Sequence, residues 1–284
     1  MSLSKELKVK HPDNKFIFLP TLIVFVVSLI LIYFFDLETS FIVISTLITL
    51  LVLVAIFHVY RSIIQEIQFQ DYRNQAMLNI HSLVKPTHPL PYLTGWAAFP
   101  ELISVILSEV LRNEPKHILE IGSGSSTIIT SYVLRDLGQG QITSLDHSEF
   151  YGNKTIKDLE LHNLSKFASI HFTPLVNQEI DGNKFNWYDI SKVQLGDKKI
   201  DLLVVDGPPE KTQKHARYPA LPVFYEHLSD HAVIILDDAA RSEEKEIVEK
   251  WLKKYPEFTH EYIPTEKGIS VLKRNHITSK ENLA

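Results

Sequence analysis

Two long apolar stretches open the chain. Residues Phe16 to Phe35 (FIFLPTLIVFVVSLILIYFF) carry no charge, and after DLETS a second run extends from Phe41 to Tyr60, broken only by His58. At about 1.5 Å per helical residue each run reaches about 30 Å, the hydrocarbon thickness of a bilayer. Pro20 falls in the first turns of the first run, where a missing N–H is tolerated. The run is too long for a cleaved signal peptide and lacks a small-x-small site. Two buried core helices are the alternative, but such helices are rarely this long without a charge. The pattern therefore predicts a transmembrane hairpin with spans 16–35 and 41–60. Lys5, Lys8, Lys10 and Lys15 precede it, Arg61 and Arg73 follow it, and the connection holds Asp36 and Glu38 with no Lys or Arg. The positive-inside rule then places the N-terminus and everything after Tyr60 in the cytoplasm, in a multi-pass protein of the cell membrane. No charge sits deep in either run to mark a transport pathway, so the hairpin is expected to be an anchor in the lipid bilayer.

Beyond it the period changes. Residues 61–81 read as an amphipathic helix, and Pro86, Pro89 and Pro91 stiffen an extended connector. Pro100 opens a short helix, ELISVILSEVL. From Lys116 onward, short apolar runs alternate with helical patterns: HILEI, QITSLD, ASIHF, IDLLVVD and AVIILD, separated by stretches such as SSTIITSYVLRDL and SEEKEIVEKWLKKY. In the last of these, Ile247, Val248, Trp251, Leu252 and Tyr255 share one face. Runs rich in β-branched residues and separated by helices indicate an α/β, doubly wound, mostly parallel sheet covered on both faces. FTHEYIP and GISVLKR suggest a closing antiparallel hairpin. The expected division is 1–60 for tail and hairpin, 61–100 for the connector, 101–275 for the α/β domain and 276–284 for a tail.

Composition sharpens this division. The whole chain has a net charge of −5 and a mean hydropathy of −0.01. Residues 101–284 alone hold 22 Lys+Arg against 28 Asp+Glu, an acidic −6, which argues against a nucleic-acid partner. With no cysteine, a thiolate metal site and a Cys nucleophile are excluded. The oligomeric state is left open.

Ligands of doubly wound sheets bind beyond the carboxyl ends of the strands, so strand-end residues are the informative ones. The first strand ends in LEIGSGSST, with Glu120, Gly122 and Gly124 followed by Ser125, Ser126 and Thr127 at a helix start. Gly122 permits a tight turn, Gly124 lets a ligand approach the backbone, and the helix N-terminus offers free N–H groups. The second strand ends in Asp146, which can accept hydrogen bonds from ribose hydroxyls, with His147 next to it. A nucleoside-containing ligand is implied. A dinucleotide would favour a third glycine where Thr127 stands. S-adenosylmethionine lacks a pyrophosphate, and its ammonium suits the carboxylate of Glu120.

The order LEIGSGSST, SLDHS, WYD (187–189), VVDGPP (204–209), ARYPALP (216–222) and LDDAAR (236–241), preceded by Gly95-Trp96, resembles class I S-adenosylmethionine-dependent methyltransferases, in particular a bacterial branch with these elements. The likeness runs over about 86–274 and leaves out the hairpin. It implies a seven-stranded Rossmann-like sheet of order 3-2-1-4-5-7-6 and methyl transfer from S-adenosylmethionine. Some members of the branch are hydroxylases, so the likeness speaks to the fold more directly than to the reaction. An NAD-dependent or hydroxylase-like enzyme, and a non-catalytic membrane scaffold, stay open as alternatives.

Asp206 ends the fourth of the parallel runs, and Asp237 and Asp238 end the fifth. Adjacent strands lie about 4.8 Å apart, so these acids should cluster. Three hard oxygen donors suit Mg²⁺ and an acceptor with vicinal oxygens. Equally, Asp238 could cap the next helix while Asp206 holds the cofactor without metal. The Gly207-Pro208-Pro209 exit presents Lys211 and His215 as candidate bases beside Asp206, and Arg217 and Tyr218 could bind an anionic or sugar acceptor or simply close the loop. Trp96, Trp187 and Tyr188 are candidate acceptor walls. His227 and His231 stand four apart, but the helix is expected to end between them, so no zinc pair is expected. The function that follows is membrane-anchored O-methylation of a small-molecule sugar, glycan or lipid-linked acceptor on the cytoplasmic side.

Overall fold

The computed structural model describes residues 22–28, 30, 33, 36–93, 98–193 and 198–275. The chain divides into two units, Met1–Asp71 and Tyr72–Ala284. Helix α1 runs Leu37–Leu83, 47 residues without a break. The expected span ending at Tyr60 and the separate amphipathic helix after it are thus one helix, because no Pro or Gly lies between them to interrupt backbone bonding. Its start is also earlier than the apolar pattern suggested. Asp36 caps it, its carboxylate accepting from the Thr39 N–H at 3.0 Å and the Thr39 hydroxyl at 2.8 Å, so LETS belongs to the helix. Among the described residues α1 is the one helix long and apolar enough to cross a membrane, and only 6% of its most apolar window is buried inside the protein. Of the first expected span, residues 22–28 are helical, and most of the rest lies outside the described residues.

The second unit is a layered α/β domain. Helix α2 is Pro100–Asn113, with proline in its first turn as expected. Strands β1 (His117–Ile121), β2 (Gln141–Asp146), β3 (Ala168–Phe172), β6 (Ile200–Val205) and β7 (Leu228–Leu236) pair in parallel. Strands β8 (Phe258–Ile263) and β9 (Ile269–Arg274) form the expected hairpin, β9 running antiparallel to both β7 and β8. The sheet order is β3-β2-β1-β6-β7-β9-β8. This is the expected 3-2-1-4-5-7-6 arrangement once an unexpected hairpin, β4 (Leu175–Ile180) with β5 (Asn183–Tyr188), is set aside. Its turn is Asp181-Gly182 with φ of 51° and 72°, the positive pair that a two-residue turn between twisted strands requires. The acceptor-wall candidates Trp187 and Tyr188 lie on β5 and are both fully buried.

Strand alternation fills both faces. Ile118, Leu202, Val204, Val233 and Ile235 pack under α2 and α3 (Ser125–Leu137), while Leu119, Ile121, Leu203, Val205, Ile234 and Leu236 pack against Phe224, Ile247, Val248 and Trp251. The last three lie on α6 (Ser242–Lys254), on the face its periodicity predicts, and Phe224 ends the short α5 (Ala220–Phe224). The remaining helix, α4 (Glu149–Leu161), follows β2. Trp251 is fully buried, and its indole N–H donates to the Tyr218 carbonyl at 2.9 Å. Trp251→Ala is expected to lower the unfolding free energy by about 3–5 kcal/mol, as a large core cavity does, which urea titration of the protein in detergent will measure.

Candidate functional site

One rung of the sheet assembles the site. Ile121 is in register with Leu145 and with Val205, and Val205 with Leu236. The next residue of each strand is therefore Gly122, Asp146, Asp206 and Asp237, side by side at the carboxyl edge. Backbone bonds continue the ladder one step, with the Gly122 N–H on the Leu145 carbonyl (2.8 Å), Asp206 on Ile121 (3.1 Å) and Asp237 on Val205 (3.1 Å).

The turn between β1 and α3 is built on Glu120. This carboxylate is buried, and it accepts hydrogen bonds from the hydroxyls of Ser126 and Thr127 on α3, both 2.5 Å, and of Ser144 on β2, 2.6 Å. Burial raises its pKa, and the three hydroxyls pull back against that rise. With both oxygens engaged, Glu120 shapes the cradle from beneath; the expected contact with a ligand ammonium would need these bonds to open. Thr127 also accepts from the Gly124 N–H at 3.0 Å. Gly122 takes φ of 98°, a left-handed value that favours glycine. At Gly124 an added Cβ would meet nothing within 4 Å, so the space above it is open to a ligand. Beside it the Ser125 hydroxyl is buried with no hydrogen-bond partner among the described residues. An open glycine, an unpartnered hydroxyl and the N–H groups of a helix start fit a nucleoside with a carboxylate-bearing tail.

Asp146 faces the same space, already partly engaged. Its Oδ2 accepts from the Ser123 N–H (3.2 Å) and hydroxyl (2.6 Å), and its Oδ1 from the Ser148 N–H (2.8 Å). A carboxylate has about four lone-pair directions, so one is left for a ribose hydroxyl rather than two. Ser123, which orients this acid, is a residue the sequence pattern did not single out. His147 Nδ1 lies 4.0 Å from Asp146 and 3.5 Å from the Tyr188 hydroxyl.

The three acids at β6 and β7 do cluster: one oxygen of each of Asp206, Asp237 and Asp238 lies within 4.8 Å of the others. Arg217 sits among them. Its guanidinium donates to the Asp238 carboxylate (2.7 Å), to the Asp206 carbonyl (3.0 Å) and carboxylate (3.5 Å), and to the Asp237 carbonyl (2.8 Å). Arg241 reaches the same Asp238 oxygen at 3.0 Å. Burial and mutual repulsion raise the pKa of Asp206 and of Asp237, while Arg217 opposes both. For Arg217, burial works against the charge, but Asp238, Asp206 and Asp237 outweigh it and strengthen its hold on the proton. Arg217 is thus the counter-charge of the acid cluster, not a free acceptor ligand. Tyr218 is likewise spent on structure, its hydroxyl donating to Asp181 at 2.7 Å and its ring stacked on Phe185.

The candidate bases separate. Lys211 is exposed on the single turn Glu210–Thr212. The His215 ring is bracketed by two residues of α6, Glu246 at 2.6 Å and Lys250 at 3.2 Å, and the His215 backbone N–H donates to Glu243. His227 falls in the turn Tyr225–His227 and His231 within β7, so the two share no helical face. Trp96 lies outside the described residues. The sequence pattern missed Glu101, a buried carboxylate at the start of α2 whose two oxygens have no hydrogen-bonded partner among the described residues. Arg73 Nε lies 3.7 Å away and also pairs with Glu266. Lys267, beside Glu266, rests 3.7 Å over the Phe99 ring.

The order of the sheet and its flanking helices are those of the Rossmann-like methyltransferase fold. Residues 119–239 match a family model described as a methyltransferase domain. Among solved structures, the SAH-bound methyltransferase PaMTH1 of Podospora anserina is 15% identical over 72% of this chain and 88% of its own, with a TM-score of 0.50. The O-methyltransferase TomG of Streptomyces achromogenes, solved with SAM and involved in tomaymycin synthesis, is 15% identical over 72% and 89%, with a TM-score of 0.47. An SAH complex of a Bacillus cereus O-methyltransferase is 15% identical over 72% and 91%, with a TM-score of 0.46. A comparison with curated proteins found no match.

Two outcomes test this electrostatic picture. Glu120→Ala leaves three buried hydroxyls without their acceptor and is expected to destabilise the fold by about 3 kcal/mol, with Glu120→Gln milder, by denaturant titration. Burial, the largest influence on Glu101, raises its pKa, and Glu266 and Asp237 add to the rise while Arg73 opposes it. A folded-state pKa above the unfolded one means that stability falls as pH climbs through the interval between the two. Glu101→Gln is expected to flatten that part of the pH–stability curve, and an unchanged slope would refute the assignment.

Proposed function

We propose that this protein is an S-adenosylmethionine-dependent methyltransferase, held at the membrane by its apolar N-terminal helices, that methylates an oxygen of a sugar, glycan or lipid-linked acceptor on the cytoplasmic side. The observation that carries the reading is the Gly122–Thr127 turn facing Asp146 at the end of the adjacent strand. The match of 119–239 to a methyltransferase-domain model supports it. Thr127, standing where a dinucleotide site favours glycine, hydrogen-bonds Glu120 and so stiffens the turn, which favours the smaller cofactor over NAD.

When bound, the cofactor supplies an electrophilic methyl carbon. The residues of this chain then have three tasks. The α3 N-terminus and Ser125 hold the amino-acid end, and Asp146 takes a ribose hydroxyl with its remaining lone pair. Asp206 faces the acceptor, since its side chain keeps 24% exposure while Asp237 and Asp238 are almost wholly buried. Its raised proton affinity suits it to take the proton of an acceptor hydroxyl, a task for which exposed Lys211 and helix-bound His215 are worse placed. The apolar helix supports the lipid-linked acceptor, because sharing a membrane raises the effective concentration of such a substrate. Lysines before the first apolar run and arginines after the second support the cytoplasmic placement.

Calorimetry of the full chain in detergent tests the cofactor. S-adenosylmethionine should bind and NAD should not. Asp146→Ala should weaken binding at least tenfold, about 1.4 kcal/mol. Gly124→Ala should weaken it without unfolding the chain, because the Gly124 backbone is extended and the added Cβ fills only the open space. Wild-type protein that fails to bind S-adenosylmethionine would end the proposal. Mass spectrometry of glycolipids from cells with and without the protein should then show loss of a one-CH₂ increment in its absence.

A further inference from the structure

We infer that the guanidinium of Arg217 takes the place of a divalent cation in the acid cluster, so that this site works without metal and selects an acceptor held by hydrogen bonds rather than chelated through vicinal oxygens. The inference deepens the methyltransferase reading but is tested without reference to methyl transfer.

Asp206, Asp237 and Asp238 offer three carboxylates within 4.8 Å, at the height of the sheet where a metal would meet an acceptor. A magnesium ion would need near-octahedral oxygens at about 2.0–2.1 Å and would keep several waters. The space between these acids is instead crossed by a planar cation with a fixed fork of donors. One terminal nitrogen of Arg217 reaches the Asp238 carboxylate at 2.7 Å, the Asp206 carboxylate at 3.5 Å and the Asp206 carbonyl at 3.0 Å. The other reaches the Asp237 carbonyl at 2.8 Å. The two carbonyls belong to the ends of β6 and β7, so the guanidinium also ties these two strand ends together.

Charge balance points the same way. Arg217 and Arg241 both stand against Asp238, at 2.7 and 3.0 Å, and Arg217 also reaches Asp206 at 3.5 Å, so the acids already hold resident cations. A divalent ion added beside them would have to sit against a buried guanidinium of like charge. Nor can the guanidinium make room by losing its proton or by swinging out. Guanidinium stays charged in proteins, and the Arg217 side chain is only 4% exposed. The backbone on either side is packed, with Ala216, Tyr218 and Ala220 buried and Tyr218 anchored by Asp181 and Trp251. Asp238 holds its side of the pair from a left-handed backbone at φ of 59°.

Mn²⁺ is the probe, read by electron paramagnetic resonance and by the thermal unfolding of the full chain in detergent. Wild-type protein is expected to bind no Mn²⁺ at millimolar metal and to show no metal-dependent shift in Tm. Arg217→Ala, which empties the cation position, is expected to bind Mn²⁺ at least tenfold more tightly than wild type, and Asp238→Asn added to it should cancel the gain. Stoichiometric Mn²⁺ binding by wild type that Asp237→Asn or Asp238→Asn removes would overturn the inference. Should Arg217→Ala fail to fold, the wild-type titration decides alone, because it alone separates a resident guanidinium from a metal site. Calorimetry with S-adenosylmethionine in the same sample distinguishes this failure from failure of the methyltransferase reading.

Discussion

The site depends on a carboxylate that never meets solvent. Glu120 sits under the first turn of α3, and its two oxygens gather three hydroxyls from α3 and the neighbouring strand. A buried charge is tolerated only when its lone pairs are filled, and here filling them fixes the backbone above. Ser126 and Thr127 cannot satisfy Glu120 unless the chain turns sharply at Gly122 and enters the helix with its N–H groups facing outward. Ser144 locks the same carboxylate to β2, two residues before Asp146. One acid therefore sets the cradle and the distance to its partner across the strand.

A second charge cluster stands on the other side of β1 and is solved differently. Hydroxyls suffice for one carboxylate, but Asp206, Asp237 and Asp238 need positive charge. Arg217 reaches them from the loop after β6, and the turn between β8 and β9 closes against the backbone just beyond them, the Gly268 carbonyl accepting from Ala239 and the Lys267 carbonyl from Ala240. That closure is tight, because a Cβ on Gly268 would lie 2.5 Å from the Ala240 nitrogen. His215 and Asp238 both adopt positive φ within this region, which shows that packing and ion pairing there override local backbone preference.

What the sequence revealed divides along the same physical line. The parallel strands and the rung of strand-end residues were legible because near-continuous β-branched runs and glycines are local signals, whereas the order of the sheet came from the resemblance to the methyltransferase family. The β4–β5 hairpin was equally local, announced by Asp181-Gly182 between alternating segments, and went unread because the flanking polar residues weakened the pattern. The unbroken course of α1 was legible only in the absence of Pro and Gly, a weaker sign than their presence. Arg217 and Glu101 were beyond reach for another reason. A loop arginine beside a tyrosine looks solvent-facing in sequence, and only the folded positions of β6 and β7 show that three carboxylates surround it. Glu101 reads as an ordinary first-turn acid until Arg73 and Glu266, remote in the chain, close around it.

The contrast between the two clusters bears on how a methyl group could move here. Transfer from a sulfonium to an oxygen removes positive charge from the donor, so a site gains little by adding more of it, and most of the acceleration must come from alignment. A hydrated divalent ion brings waters that have to rearrange around each acceptor. A guanidinium fixed by two strand-end carbonyls and two carboxylates does not rearrange. It leaves Asp206 as the exposed oxygen donor of the set, on the same rung as Asp146 and separated from it by β1. The spacing between Asp146 and Asp206 is then set by the sheet itself, through the rung that Glu120 and Arg217 hold from opposite sides.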